Sequence, residues 1–188
     1  MSSSWPNCPA LAAIHVQIES PEGRGVFDDP SIQHLTFPKE RGQKMNEPGI
    51  VKVTYSFSAS PKRVFDAWLD PETVGQWLFA TPTGKMVRVE IDPRVGGRFT
   101  IVDRRNGEDV EHTGEYLEID RPRRLVFTFA VPKYSAVYTK VTVEVEPAAQ
   151  GCDLTLTQEH VPLEYMGRNK EGWTGILAGL GRCLAESA

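Results

Sequence analysis

The sequence predicts an α+β domain: a curved, antiparallel, seven-stranded sheet, two short helices after its first strand, and one long helix laid over its concave face. Three observations carry that expectation. Trp173, Ile176, Leu177, Leu180 and Leu184 recur at helical spacing within Gly172 to Glu186, so they form an apolar stripe that needs a large partner. From Lys85 to Glu159 the chain reads as strand after strand joined by short turns, which favours antiparallel pairing. Two Pro-initiated segments, after Ser60 and after Asp70, interrupt the strands once and early.

Residues 1–48 hold Pro6, Pro9, Pro21, Pro30, Pro38 and Pro48, show no sustained period, and offer one short strand candidate, Ile14 to Ile18. They are read as an extended or poorly ordered arm. Met45 is an alternative start, because the Lys39-Glu40 codons just upstream could form a ribosome-binding sequence. Residues 49–188 are read as the folded domain.

Val51, Val53, Tyr55 and Phe57 alternate with polar residues as in a half-buried first strand. Ser60 caps the next helix and Pro61 takes its first position, with Val64, Phe65 and Trp68 facing inward. Asp70-Pro71-Glu72 repeats the device, and Val74, Trp77 and Leu78 form the second buried face. Val87, Val89 and Ile91 mark the second strand, and Asp92 to Gly97 a glycine-containing turn into Phe99 and Ile101. Asn106-Gly107 is a hairpin signal returning the chain into His112 to Ile119. Arg121-Pro122 turns it into Leu125, Phe127 and Phe129. Val137, Thr139, Val141, Val143 and Val145 follow, then Leu154 and Leu156.

At 188 residues and 40% hydrophobic content the chain suits one core. A formal charge of -4 without a block of like charge points to neither nucleic acid nor an anionic membrane as partner. Arg121, Arg123 and Arg124 flank Pro122 as a solvated turn. Cys8, Cys152 and Cys183 include no Cys-x-x-Cys pair, which suits a reduced, cytoplasmic setting, and no apolar run approaches the roughly 18 residues of a membrane span.

The order strand, helix, helix, six strands, long helix has sequence motifs to match. These are Asp70-Pro71-Glu72 with Trp77, Asp92 to Phe99, Gly114 to Ile119, Arg121 to Phe127, Leu154 to Thr157, and Gly172-Trp173. Taken together, residues 50–186 resemble the START-like (SRPBCC) superfamily with the helix-grip fold, also that of birch-pollen allergens. Within it they resemble the small bacterial form of the family named for the activator of the heat-shock-protein-90 ATPase. The resemblance implies a cavity between the long helix and the concave sheet, and in similar proteins such cavities take lipids, sterols, polyketides or other apolar ligands; some members are cyclases.

Glu111-His112 and Glu159-His160 invite a metal reading, but in the family strand order they lie three strands apart, roughly 14 Å at the usual spacing, against ligand distances of about 2 Å. Each histidine is expected at a strand end facing solvent, and no metal or cofactor is expected. No Gly-x-Ser-x-Gly elbow is present, and Gly175, Gly179 and Gly181 lie in an apolar helix pattern rather than a phosphate loop. Tyr116, Tyr138, Glu118 and Gln158 are the general-acid candidates in an interior, each with an ordinary structural alternative, and no catalytic residue is assigned.

The expected lining of the cavity is Phe99, Tyr116, Phe127, Phe129, Tyr138, Trp173, Leu177 and Leu180, with Trp68 and Trp77 anchoring the short helices. The same aromatic rings could instead fill a solid core. Noncatalytic binding of a small apolar or aromatic ligand, by a monomer or homodimer, is the function expected. The alternatives are a chaperone-associated interaction module and a polyketide cyclase- or hydrolase-like enzyme. The chaperone reading is weakened because about 48 unpatterned residues cannot supply the large N-terminal domain of the eukaryotic activator. Finally, the helix glycines are expected to let the last helix approach the sheet closely rather than to loosen it.

Overall fold

The computed structural model describes residues 48–186. The expected arm, with its strand candidate Ile14 to Ile18, Cys8 and the alternative start Met45, lies outside the described residues. In chain order the elements are β1 (Gly49–Phe57), α1 (Pro61–Asp66), α2 (Pro71–Trp77), β2 (Lys85–Ile91), β3 (Arg98–Arg105), β4 (Glu108–Asp120), β5 (Arg124–Phe129), β6 (Thr139–Pro147) and β7 (Cys152–Val161). A 3-10 turn (Leu163–Tyr165) then leads into α3 (Met166–Glu186). The strands form one seven-stranded sheet in the order β1-β7-β6-β5-β4-β3-β2. Every neighbouring pair is antiparallel.

Both short helices start as their sequences dictate. The Ser60 hydroxyl accepts from the Arg63 amide at 3.4 Å and the Asp70 carboxylate from the Thr73 amide at 3.2 Å, each ahead of a proline that needs no hydrogen-bond partner there. Trp77 Nε1 donates to the Ala67 carbonyl at 3.2 Å, and its ring meets Trp68 edge-on at 4.8 Å. That contact locks α2 against the end of α1. Asn106 (φ 52°) and Gly107 (φ 83°) supply the two left-handed residues of the tight β3–β4 hairpin.

Curvature comes from β4. Its first half pairs with β3 through Glu108 to Glu115 and its second half with β5 from Tyr116 onward, where the register shifts between Tyr116 and Glu118. At the bend stands Gly114, where any Cβ would lie 1.8 Å from the Thr128 carbonyl oxygen and 2.6 Å from the Phe99 ring. Only glycine allows that approach. A second register shift, between Met86 and Arg88, turns part of β2 outward and leaves Val87 exposed.

Alternation then sorts the sheet into two faces. Val51, Val53 and Phe57 of β1, Leu154, Leu156 and Gln158 of β7, Val141, Val143 and Val145 of β6, Leu125 and Phe127 of β5, and Phe99 and Ile101 of β3 are buried. Across this concave face runs α3, burying Trp173, Leu177, Leu180 and Leu184. Burial of a large apolar side chain is worth about 1.5–3 kcal/mol, so these four outweigh the roughly 1 kcal/mol that each helix glycine costs. The helix begins at Met166, six residues before the predicted Gly172. After Met166, which packs against the core, Gly167 to Glu171 carry no apolar period.

Candidate functional site

The concave interior holds two aromatic clusters and a polar bridge. Toward the start of α3, the Phe79 ring lies parallel to His112 (centroids 4.2 Å, 5° between planes) and to Phe129 (5.2 Å, 13°). Trp173 closes the group at 5.9 Å from Phe79 and 5.6 Å from Phe129, tilted to both. Deeper under the helix, Phe99, Tyr116 and Phe127 meet at 5.6–6.5 Å, and Trp68 abuts Phe127 at 6.1 Å.

Gln158 is the bridge. It is 1% exposed, and its Oε1 accepts from Trp173 Nε1 at 2.8 Å and from Asn169 Nδ2 at 3.2 Å. Its Nε2 donates to Thr139 Oγ1 at 2.9 Å, and that hydroxyl donates to the Phe129 carbonyl at 3.0 Å. One side chain on β7 therefore fixes the Trp173 indole and ties α3 to β5 and β6. Its hydrogen bonds hold a position, so it is no proton donor to a substrate.

A buried polar network underlies the segment between α2 and β2. Asp103, wholly buried on β3, accepts from Arg105 Nε at 2.7 Å and from the Thr81 hydroxyl at 2.8 Å, both on Oδ2. Arg105 Nη2 in turn donates to the Phe79 carbonyl at 3.1 Å. Two buried atoms here have no hydrogen-bond partner, Asp103 Oδ1 and His112 Nδ1. Burial, assisted by the Arg105 charge, lowers the His112 pKa to about 4. The imidazole is neutral at pH 7, its Nδ1 able to accept or donate one hydrogen bond according to tautomer.

These positions correct two expectations. His112 is not a strand-end residue facing solvent: it is 5% exposed, because Val110, His112, Gly114 and Tyr116 are the inward row of β4. Glu111 consequently points to the opposite face. His160 is exposed as expected. Tyr138, expected in the interior, is 53% exposed, since β6 begins at Thr139 with that residue facing inward. Glu118 is also exposed, paired with Arg124.

Of the other expected lining residues, Phe129 and Trp173 join His112 in the first cluster. Phe99, Tyr116 and Phe127 form the second, and Leu177 and Leu180 cover the sheet from α3. The Tyr116 hydroxyl pKa is raised by burial and by the Asp92 charge, so it remains protonated. Sequence reasoning missed Phe79, Asp103 and Arg105. Asp103 had a usable signal, since it continues the inward phase of Phe99 and Ile101; Phe79 had none, lying between elements.

Reactive chemistry finds little support. The Cys152 thiol donates to the Ala59 carbonyl at 3.4 Å, and burial raises its pKa to about 11, suppressing the thiolate. Among the described residues no three His, Cys, Asp or Glu side chains gather as a metal site. A cleft of about 210 Å³ between α1, α2 and the end of α3 has its charged side chains engaged, Asp70 by Thr73. Arg63 donates to the Leu184 carbonyl at 2.9 Å, and Asp66 bridges Lys62 and Arg121. Among the described residues no helix is long and apolar enough to cross a membrane.

An antiparallel seven-stranded sheet gripping a long C-terminal helix over an aromatic interior defines a START-like, helix-grip domain. This chain belongs to the Activator of Hsp90 ATPase homolog 1-like family, whose model matches residues 58–185. Solved structures share the fold. A protein from Chromobacterium violaceum is 28% identical over 71% of this chain and 94% of its own, with a TM-score of 0.65. An AHSA1-like protein from Aeromonas hydrophila is 20% identical over 73% of this chain and 93% of its own, TM-score 0.63. A Staphylococcus aureus protein of unknown function is 20% identical over 76% of this chain and 97% of its own, TM-score 0.66. No curated protein has significant sequence similarity to the chain.

Proposed function

We propose that this domain binds a small apolar or aromatic molecule, without catalysis, in a hydrophobic cavity between α3 and the concave face of the sheet. The observation that carries the reading is the aromatic group of Phe79, His112, Phe129 and Trp173, in which buried His112 Nδ1 makes no well-formed hydrogen bond and interacts only weakly with the Ile101 and Val110 backbone. An unsatisfied buried group costs about 1–3 kcal/mol. A ligand with one matching polar group removes that cost while its apolar body contacts the rings, the usual composition of a small-molecule site. Phe99, Tyr116, Phe127, Leu177 and Leu180 supply further apolar walls in this proposal, and the protein acts in the cytoplasm as a monomer or homodimer.

Native mass spectrometry of protein purified from its own host tests the reading directly, with displacement of an apolar dye as the companion assay. A co-purifying small molecule, or displacement by aromatic candidates, is the expected result. A bare protein mass together with dye binding that no candidate disturbs would overturn it.

One observation favours a second reading, a protein-interaction module of the chaperone-associated kind. Tyr134, Val137 and Tyr138, between β5 and β6, are all exposed, and Arg168 of α3 covers the Tyr134 ring at 5.2 Å. Direct binding to the middle region of the chaperone, abolished by Val137→Asp, distinguishes it from the first.

A further inference from the structure

We propose that the Phe79 ring occupies the seat of a planar aromatic ligand. That ligand displaces it and stacks on His112 and Phe129 in its place. The inference rests on the ligand-binding reading above and gives that site a location, a ligand class and a mode of entry.

The seat is flat. His112 and Phe129 lie 6.2 Å apart with only 12° between their planes, and Phe79 is parallel to both, so one ring rests over a two-ring platform. Parallel, offset packing of this kind accepts any planar π-system of similar size. Trp173 stands at the edge, its indole held by Gln158, so the wall of the seat is fixed independently of what fills it.

Phe79 is a poor permanent occupant. Its φ of 62° is left-handed, and Asn106 and His160 are the other non-glycine residues of that kind among the described residues. Asparagine tolerates such angles in a turn, but a bulky side chain does not. Phe79 follows Leu78, the cap residue at the end of α2, where a left-handed glycine would end the helix without strain. The strained backbone is what delivers a phenyl ring to the interior.

Release is structurally simple. The Phe79 carbonyl is held by Arg105, whose side chain is 31% exposed, so water can replace that bond when the segment moves. Thr81 stays anchored to buried Asp103. The ring can therefore leave while the segment beyond it remains attached. The ligand class follows from what is vacated: a planar system of one or two fused aromatic rings.

The test uses 2-naphthol and naphthalene as probes, with binding followed by calorimetry. Phe79→Gly removes the ring and suits the left-handed angle, so it retains the fold, and Phe79→Ala is the second variant. Either is expected to bind 2-naphthol about tenfold more tightly than the wild type, since the ring no longer competes. Adding Phe129→Leu, which removes half of the platform, is expected to weaken 2-naphthol and naphthalene alike by several-fold. In the wild type, saturating 2-naphthol is expected to speed amide exchange at Phe79 and Ala80, a readout that needs no variant. If wild type and both variants bind equally and exchange at Phe79 is unaltered, the displacement idea fails while the binding reading stands. If no form binds either probe and dye displacement also fails, both fall.

Discussion

Acidification should destabilise this protein through His112 by an amount that its burial sets. The folded pKa is lowered to about 4 by burial and the Arg105 charge, against about 6.5 in an unfolded chain. Between those values the unfolded chain holds a proton that the folded one refuses. The stabilisation is therefore complete above the unfolded value and is lost as pH falls from about 6.5 toward 4. At 1.36 kcal/mol per pKa unit the whole window is worth about 3 kcal/mol, and about 2 kcal/mol is gone by pH 5. Urea unfolding of wild type and His112→Phe at pH 7 and pH 5 isolates it. Phenylalanine keeps the ring over Phe79 and removes the titrating nitrogen, and any overpacking cost is independent of pH. The carboxyls held below their ordinary range, among them Asp66, Asp70 and Asp109, titrate in both proteins and cancel in the comparison. Wild type should lose about 2 kcal/mol more than the variant, or about 1 M in urea midpoint at a typical slope. Parallel losses, within about 0.5 kcal/mol, would refute the claim that His112 is buried and neutral.

Gln158→Ala should cost about 2–4 kcal/mol, because it removes buried bonds to Trp173, Asn169 and Thr139 and leaves the indole N–H unpaired; thermal unfolding with Trp fluorescence measures it, and a loss below about 1 kcal/mol contradicts the bridge. Gly175→Ala should stabilise by up to about 1 kcal/mol, since its Cβ would meet nothing within 4 Å. Gly181→Ala should gain nothing, because there the Cβ would sit 3.1 Å from Tyr55 Oη; denaturant midpoints of the two variants must differ in that order.

The architecture was legible because it depends on periodicity and turn chemistry, both local. Val51 to Phe57, the Ser60-Pro61 and Asp70-Pro71 starts, Asn106-Gly107 and the Trp173 to Leu184 stripe each carry their own signal. The site was less legible because its members lie in different elements and meet only through the sheet. His112 shows the loss most plainly: its inward phase was available from Val110, Gly114 and Tyr116, yet a histidine beside a glutamate reads as a solvent-facing pair. Tyr138 shows the reverse, an aromatic residue credited to the interior although inward Thr139 sets its neighbour outward. Phe79 could not have been found, because a left-handed phenylalanine between a helix and a strand has no sequence signature.

The glycines of α3 bear on how anything could enter the interior. Close approach accounts for Gly181, over Tyr55, and ordinary contact for Gly179, near Trp77, but Gly172 and Gly175 face open space and ease no packing. Their cost is local, whereas the helix is held at both ends: Gln158 bonds Trp173 and Asn169 near its start, and Arg63 bonds the Leu184 carbonyl near its finish. Lifting α3 would break those bonds and uncover Leu177 and Leu180 together. Moving Phe79 uncovers one buried ring and breaks its carbonyl bond to a partly exposed arginine, while relieving a strained φ. The lower-cost route into this fold is therefore beside the helix, through the segment that ends α2, and amide exchange should be slow along Leu177 to Leu184 even where it is fast at Phe79.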